Sequence, residues 1–209
     1  KLKNTPMDIY PMLPGDEAVG EVVELGKDVT SYKVGDIVLM PYNLITSDGL
    51  GAAWGAMAEY ATVIDPAAPG AEMMGIWGAR CQSKILPDWV DPLEAIMIIT
   101  LRETLGAIRH FGLEANESIA VYGCGPVGLS FIQFCKIKGL GPIVALDLDE
   151  GKREQALAYG ADFFVNAGDP DHVEQIRGLC PEGLDVVLDA VGVTSAYNDA
   201  MEIMKEDGK

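Results

Sequence analysis

The fold of this chain is decided by one stretch of its sequence, Gly123-Cys124-Gly125-Pro126-Val127-Gly128. The stretch has the spacing G-x-G-x-x-G, follows an apolar segment predicted to be a strand (118–122), and precedes a predicted helix (127–138). In that context the first glycine makes a tight turn, the second lets the backbone approach a pyrophosphate, and the third lets the helix pack closely on the strand. The start of the helix directs unpaired N–H groups and a positive dipole end at the phosphates. The stretch therefore predicts a dinucleotide site with these cofactor-binding residues: Gly123, Gly125, Pro126, Val127 and Gly128.

An acidic residue at the end of the next predicted strand (142–147) indicates which dinucleotide binds. Asp147 lies 19 residues after Gly128, close to the spacing of about 20 that is typical of such sites. A carboxylate there accepts hydrogen bonds from the ribose hydroxyls of the adenosine half and repels a 2′-phosphate, which favours NAD over NADP. Methyltransferases also combine a Gly-rich turn with an acidic strand end and are kept as an alternative. Against them, Pro126 leads directly into a helix, and a β-rich region precedes the turn.

Two regions of the chain carry different secondary-structure patterns. Residues up to about 70 contain short predicted strands with turn signals, at 20–26, 34–40 and 58–64, typical of a small antiparallel barrel or sandwich. From residue 92 onward, a helix or helix pair is followed by near-continuous apolar strands that alternate with helices. This alternation predicts a doubly wound parallel sheet covered on both faces. We therefore predict an α/β fold of two domains, residues 1–90 and 91–209.

The second domain is expected to lack its last strands. A doubly wound dinucleotide fold usually has six strands, and only four are predicted before the chain stops. The predicted strands are 118–122, 142–147, 162–166 and 184–188, and the predicted helices are 92–111, 127–138, 152–159, 171–179 and 195–205.

Composition excludes several classes of protein. The chain has 15 basic and 32 acidic residues among 209, a formal net charge of −17, so nucleic acid is excluded as a partner because it would be repelled. Hydrophobic residues make up 49%, too many for a disordered acidic chain. No stretch approaches the roughly 20 apolar residues that cross a bilayer, so no membrane partner is expected. The four cysteines have no C-x-x-C pair, which is typical of buried thiols in a cytoplasmic protein.

Ordered motifs along nearly the whole chain resemble those of the medium-chain dehydrogenase/reductase superfamily, in particular its zinc-type alcohol and polyol dehydrogenases. In order, they are 14–20, 34–38, 58–60, 86–88, 123–129, 145–147, 158–162 and 185–192. The resemblance implies a GroES-like β-barrel catalytic domain, lacking its N-terminal part, followed by an NAD-binding Rossmann domain. It also implies an oxidoreductase that moves a hydride between nicotinamide and a small-molecule alcohol, polyol or ketone, and an assembly into homo-oligomers.

Two further cofactor residues are implied by the resemblance. Lys152 falls where the family often has a basic residue beside the adenosine ribose, and a solvent-exposed lysine is the alternative. Val191 falls, with Gly192, at a strand end that lines the nicotinamide half of the site in the family. A turn that only ends the strand is the alternative there.

The zinc site is where the sequence departs from the family. Members with a catalytic zinc have Gly-His-Glu where this chain has Gly15-Asp16-Glu17. An aspartate oxygen also binds zinc, at about 2.0–2.2 Å, so Asp16 and Glu17 are kept as candidate metal ligands and catalytic residues. The family's first ligand, a cysteine, would lie before Lys1, and the region of a further ligand, at residues 98 and 99, is apolar here. A carboxylate that caps a turn is the alternative for Asp16.

Structural zinc is not expected, because residues 40–58, where the family has a four-cysteine lobe, contain no cysteine. Catalytic zinc is left open, and two alternatives therefore accompany the dehydrogenase. They are a zinc-independent reductase of a conjugated or quinone-like substrate and a catalytically inactive NAD-binding protein. Among the other candidates, His110 is predicted to stabilise a helix C-terminus and His172 to be solvated. The tryptophans are predicted to pack, or to line a cleft covered by an insertion at 67–80: Trp54, Trp77 and Trp89.

Overall fold

The computed structural model describes residues 12–43, 51–52, 54–71 and 83–209. The chain divides into two compact units, Lys1–Ile99 and Thr100–Lys209. Helix α1 (Pro92–Ala95) packs against the strand Val19–Glu21, which explains why it belongs to the first unit. The domain limits 1–90 and 91–209 stay a prediction from the sequence.

Short strands build the first unit. They are β1 (Met12–Leu13), β2 (Val19–Glu21), β3 (Ile37–Leu39), β4 (Gly51–Ala52) and β5 (Lys84–Ile85). Strands β2, β3 and β5 form an antiparallel sheet in that order, and β1 pairs in parallel with β4. The core of this unit contains Met40, Tyr42 and Ile99, with Trp54 and Ile64 packed against them.

The strand predicted at 58–64 is reduced to a single bridge between Tyr42 and Thr62. Before the bridge, the side-chain amide of Asn43 donates to two backbone carbonyls, at 3.0 and 2.9 Å. After it, the buried carboxylate of Asp65 accepts from two backbone N–H groups of another loop, at 2.6 and 2.8 Å. The prediction of a full strand is therefore wrong: backbone pairing in this segment is limited to the bridge at Thr62, and the Tyr60 carbonyl accepts from the Asn43 side chain instead of a neighbouring strand.

The second unit contains a parallel sheet with helices on both faces. Its strands are β6 (Ile119–Tyr122), β7 (Ile143–Asp147), β8 (Phe163–Asn166) and β9 (Val186–Asp189). Its helices are α2 (Ile98–His110), which begins at the division between the units, α3 (Pro126–Lys138), α4 (Arg153–Ala158), α5 (His172–Leu179) and α6 (Thr194–Ile203). Among the described residues, no helix is both long and apolar enough to cross a bilayer.

The strand order β8-β7-β6-β9 confirms the predicted doubly wound α/β fold. The chain builds outward from β6 through β7 to β8, and then returns to place β9 on the other side of β6. In open sheets of this kind, ligands bind at the carboxyl ends of the strands where the order reverses. The candidate site is therefore expected beside the ends of β6 and β9.

Both faces of β6 are covered, which explains why its sequence is apolar at every position. All four of its residues are buried. Val121 belongs to a core cluster with Ile132 of α3, whereas the adjacent Tyr122 belongs to a cluster with Ile176 of α5. Alternate side chains of a strand point to opposite faces, so a strand buried on both sides loses the usual polar alternation.

The last residues of the chain run along β9. The N–H of Lys205 donates to Leu184 O at 2.9 Å, and that of Lys209 donates to Asp185 O at 2.8 Å. Val187 returns a hydrogen bond to the Lys209 carbonyl at 3.0 Å. This segment occupies the edge of β9 at which a fifth strand of a doubly wound sheet pairs.

Candidate functional site

The glycine-rich turn joins β6 to α3 where the strand order reverses. Gly123 has φ 94°, and its N–H donates to Leu146 O at 2.7 Å. A Cβ at this position would lie 2.6 Å from Cγ2 of Val191. A Cβ on Gly128 would overlap the carbonyl oxygen of Gly123. The first and third glycines are therefore required by the turn and by the close packing of α3 on it.

The second glycine of the turn caps the N-terminus of α3. Gly125 is extended, with φ −79° and ψ −177°, and Pro126 follows it in the first turn of the helix. Because glycine has no side chain, no side-chain hydrogen bond caps the helix start. Apart from its two chain neighbours, no atom of the described residues lies within 4 Å of a Cβ built on Gly125, so the described part of the fold leaves this space open. The exposed Val127 follows in the same turn of the helix. The open space and the uncapped helix start suit an anionic group such as a pyrophosphate.

Asp147 lies at the carboxyl end of β7, next to the turn. Its side chain is 11% exposed. Oδ2 accepts from the Cys124 N–H at 2.7 Å and from Lys152 Nζ at 2.9 Å, and Oδ1 accepts from the Asp149 N–H at 3.0 Å. Burial opposes ionisation, but these hydrogen bonds outweigh it and hold the pKa of Asp147 below its ordinary value. The carboxylate is therefore ionised and oriented before any ligand arrives.

Lys152 is the more exposed partner of this ion pair. It ends a 3₁₀ turn, Glu150–Lys152, which is capped by Asp149 through its bond to the Gly151 N–H at 2.9 Å. The Lys152 side chain is 35% exposed, and the hydrogen bond to Asp147 raises its pKa. A ligand that approaches the end of β7 thus meets an ammonium group as well as a carboxylate.

The loop after β9 contacts the glycine-rich turn, and the two border a crevice at the carboxyl ends of β6 and β9. Asp189 Oδ1 accepts from the N–H groups of Val191 and Gly192, both at 2.8 Å, and Gly192 has φ 78°. The loop holds the exposed Val191 against Gly123 of the turn. Sequence reasoning missed the role of Asp189, although an aspartate shortly before a glycine is the usual signal of a side-chain-stabilised turn.

Cys124, inside the turn, is not a nucleophile. Its side chain is buried, its Sγ lies 3.6 Å from Leu146 O, and burial raises the pKa of its thiol to about 11. A thiol with a raised pKa carries almost no thiolate at neutral pH.

The described residues do not assemble a zinc site. Asp16 and Glu17 are exposed in the loop between β1 and β2. Gly15 ahead of them has φ 104°, and its carbonyl accepts from Ala56 at 3.0 Å. Ile99 is buried in the apolar core of the first unit. In the described ranges no group of three or more His, Cys, Asp or Glu side chains could hold a metal ion. The assignment of Asp16 and Glu17 as ligands stays a prediction.

The structure places the candidate histidines and tryptophans at separate positions. His172 is not solvated as predicted, because its ring contacts Asp199 of α6 at 2.9 Å. His110 ends α2, with its ring edge-on to Phe111. Trp54 packs edge-on against Tyr42, and Trp89 is exposed. Trp77, and the predicted insertion from residue 72 to residue 80, lie outside the described residues.

Comparison with known proteins identifies relatives for both parts of the chain. The family described as "Alcohol dehydrogenase GroES-like domain" matches residues 2–76, and the family described as "Zinc-binding dehydrogenase" matches residues 126–209. The S-(hydroxymethyl)glutathione dehydrogenase of Saccharomyces cerevisiae is 28% identical, over 94% of this chain and 59% of its own length. The NADP-dependent isopropanol dehydrogenase of Thermoanaerobacter brockii is 32% identical, over 95% of this chain and 59% of its own.

A solved structure shows the same fold. The apo form of zinc-dependent alcohol dehydrogenase 2 from Streptococcus pneumonia superposes with a TM-score of 0.72 at 25% identity, covering 93% of this chain and 58% of that one. The chain thus spans less than two thirds of the length of these relatives. The matches overturn the methyltransferase alternative, and the chain belongs to the medium-chain dehydrogenase/reductase superfamily.

Proposed function

We propose that this chain serves an NAD(H)-dependent oxidoreductase that transfers a hydride between nicotinamide and an alcohol, polyol or ketone. The observation that carries the proposal is the uncapped start of α3 beside an oriented, ionised Asp147, at the point where the strand order reverses. Such a site suits the pyrophosphate and the adenosine ribose of an adenine dinucleotide. The names of two relatives, an S-(hydroxymethyl)glutathione dehydrogenase and an isopropanol dehydrogenase, support a dehydrogenase of hydroxyl-bearing substrates.

Each residue of the site would have one task. The first-turn amides of α3 bind the pyrophosphate. Asp147 accepts hydrogen bonds from the hydroxyls of the adenosine ribose, and Lys152 donates a hydrogen bond to that ribose. Val191 covers the nicotinamide side of the crevice. When bound, the nicotinamide supplies the redox chemistry, and the chain supplies position and electrostatics.

NAD is proposed over NADP because the Asp147 carboxylate accepts hydroxyls and repels a 2′-phosphate. Lys152 moderates this preference, since its ammonium lies 2.9 Å from the carboxylate and partly neutralises it. One relative is named as NADP-dependent, so the choice needs a direct measurement.

The binding test uses calorimetric titration of the purified protein with NAD, NADH and NADP. Tight NAD or NADH binding that exceeds NADP binding would support the proposal, and binding of none of the three would overturn it. The activity test follows NADH absorbance with a panel of alcohols and polyols, and in reverse with ketones. NADH binding without turnover in either direction would favour the catalytically inactive alternative.

A zinc-independent reductase is the second candidate. It is favoured by Asp16 in place of a histidine and by the apolar Ile99 near the region of a further ligand. None of the tasks above uses a metal ion. Metal analysis of protein purified with added zinc separates the candidates. Stoichiometric zinc, lost together with activity on chelation, would contradict the zinc-independent reductase.

Assembly into homo-oligomers and a cytoplasmic location are proposed from the family and from the cysteines. The cysteines described in the structure, Cys124, Cys135 and Cys180, are free and buried, which suits a reducing compartment. Light scattering on the purified protein tests the assembly, and a monomer mass would contradict it.

A further inference from the structure

Asp149 lies in the turn that follows β7, between Asp147 and Lys152, and is hydrogen-bonded to both. Its N–H donates to Asp147 Oδ1 at 3.0 Å, and its carbonyl oxygen accepts from the Lys152 N–H at 3.0 Å. Lys152 Nζ in turn donates to Asp147 Oδ2 at 2.9 Å. Three hydrogen bonds therefore connect Asp147, Asp149 and Lys152 in a closed ring, here called the Asp149 ring.

The side chain of Asp149 fixes the backbone of this ring. Its Oδ1 accepts from the Gly151 N–H at 2.9 Å and so caps the 3₁₀ turn Glu150–Lys152. The first N–H groups of a helical turn have no partner within the turn, and an aspartate at the N-cap satisfies one of them. Helix α4 follows Lys152 directly, so the same cap also holds the start of that helix.

Gly151 leaves the room that the cap needs. Its φ is not positive, so the backbone conformation by itself does not require glycine at this position. A Cβ on Gly151 would, however, lie 3.0 Å from Asp149 Oδ1, inside ordinary van der Waals contact. A larger residue would therefore push the carboxylate away from the N–H that it caps. Glycine here preserves the contact between the Asp149 side chain and the turn.

Lys152 depends on a fixed backbone to keep its ammonium group on Asp147. Its side chain is 35% exposed and has a flexible four-carbon stem. An exposed ion pair of this kind is weak when its two ends are free to move. The cap restricts that movement because it holds Gly151, the residue directly before Lys152. The ammonium group and the carboxylate are thus kept together at the carboxyl end of β7.

We propose that Asp149 is a positioning residue for the adenosine ribose, and that its cap holds Asp147 and Lys152 in the arrangement that binds the ribose hydroxyls. The inference rests on the proposed function, in which these two groups bind that ribose. A preformed arrangement binds more tightly because the ligand does not have to order it. Asparagine caps a helix about as well as aspartate, whereas alanine does not, so the cap can be separated from the charge.

Calorimetric titration of the full chain with NAD tests this role, comparing wild type with Asp149→Asn and Asp149→Ala. We expect Asp149→Ala to weaken NAD binding by about fivefold and Asp149→Asn by less than about twofold. Asp91→Ala is the matched control, because Asp91 Oδ1 caps α1 in the other unit through the Leu93 N–H at 2.7 Å. It should leave NAD affinity unchanged. Equal affinity of Asp149→Ala and wild type, or an equal loss in Asp149→Asn, would overturn the proposal.

An NAD analogue built with 2′,3′-dideoxyadenosine separates positioning of the ribose from a general loss of structure. In wild type, removal of the two hydroxyls should weaken binding, because Asp147 and Lys152 lose their partners. In Asp149→Ala the same removal should weaken binding by a factor about threefold smaller, since the contacts are already impaired. If wild type and Asp149→Ala lose the same factor, Asp149 does not act through the ribose and the proposal is wrong.

A measurement without nucleotide distinguishes a failure of this inference from a failure of the proposed function. The hydrogen bond to Asp147 raises the pKa of Lys152, so its reactive neutral amine is scarce while the pair is intact. Acetylation of Lys152 by acetic anhydride, followed by mass spectrometry, should be about threefold faster in Asp149→Ala than in wild type. Lys136, paired with Asp162, is the internal reference and should react at an unchanged rate. Unchanged acetylation of Lys152 in a protein that binds NAD would overturn this inference alone, whereas wild type that binds no NAD would overturn the proposed function.

Discussion

At the residue scale, the glycines of the turn separate what the fold requires from what it leaves free. At Gly125 φ is −79°, and a Cβ would meet no atom of the described residues within 4 Å other than its chain neighbours, so alanine fits this position. The same Cβ would occupy the space proposed for the pyrophosphate. We expect Gly125→Ala to weaken NAD binding by about tenfold or more while Tm changes little, measured by calorimetry and thermal unfolding.

The control for this variant is Gly178→Ala in α5, where a Cβ also has open space. It should leave NAD affinity unchanged and stabilise the protein slightly, because alanine favours a helix. Equal NAD affinity of Gly125→Ala and wild type would show that no phosphate binds at this turn.

Lys152 and Asp147 together are expected to set the cofactor preference. Removing the ammonium in Lys152→Gln leaves the carboxylate uncompensated, so a 2′-phosphate is repelled more strongly. We expect the ratio of the NADP and NAD dissociation constants to rise by about tenfold in calorimetric titrations. The control is Lys136→Gln, which removes a similar ion pair with Asp162, at the opposite end of the sheet. An unchanged ratio in Lys152→Gln would contradict this role.

At the element scale, Asp185 ties the starts of two strands to the chain that follows α6. It accepts from the N–H and Oγ of Ser118 ahead of β6, both at 2.8 Å, and from Lys205 Nζ at 2.6 Å. The hydrogen bond from Lys205, followed by those from Ser118, lowers the pKa of Asp185 to about 2. The ionised carboxylate therefore stabilises the fold above the unfolded pKa of about 3.9, and this contribution is lost as pH falls toward the folded value.

Asp185→Asn should accordingly lower Tm at pH 7 by about 2–4 °C. The difference from wild type should shrink between about pH 5 and pH 2, measured by thermal unfolding at each pH. Glu206→Gln, exposed in the same terminal segment, is the control and should have little effect. A difference that stays constant down to pH 2 would argue against ionisation as the cause.

At the scale of the whole molecule, the two units should respond differently to the cofactor. The residues proposed to bind NAD all lie in the unit Thr100–Lys209. A ligand at about 100 times its dissociation constant stabilises the folded state by about 2.7 kcal/mol. We expect NAD to increase hydrogen-exchange protection mainly in β6, α3 and the end of β7, measured by mass spectrometry. Protection concentrated in β2 and β3 instead would place the nucleotide elsewhere.

A feature was predictable from the sequence when the residues that contact one another there are close along the chain. The turn, α3 and the strand ends were predictable because each glycine of the motif is required by atoms within a few residues or by the regular packing of helix on strand. The strand at 58–64 was not, since the Tyr60 carbonyl accepts from the Asn43 side chain, which lies 17 residues away along the chain. The contact of His172 was not predictable either, because its partner, Asp199, lies 27 residues away on another helix.

The sequence by itself determined the doubly wound fold and the glycine-rich turn, since periodicity and glycine spacing act locally on the backbone, and its ordered motifs indicated the superfamily. Only the tertiary structure decided which charges meet. It covers Asp147 with the ammonium of Lys152, joins Asp199 to His172, and leaves Asp16 without a metal-binding group among the described residues. Half-buried charges are stable only beside a partner, and the fold, through burial and the approach of distant elements, selects that partner.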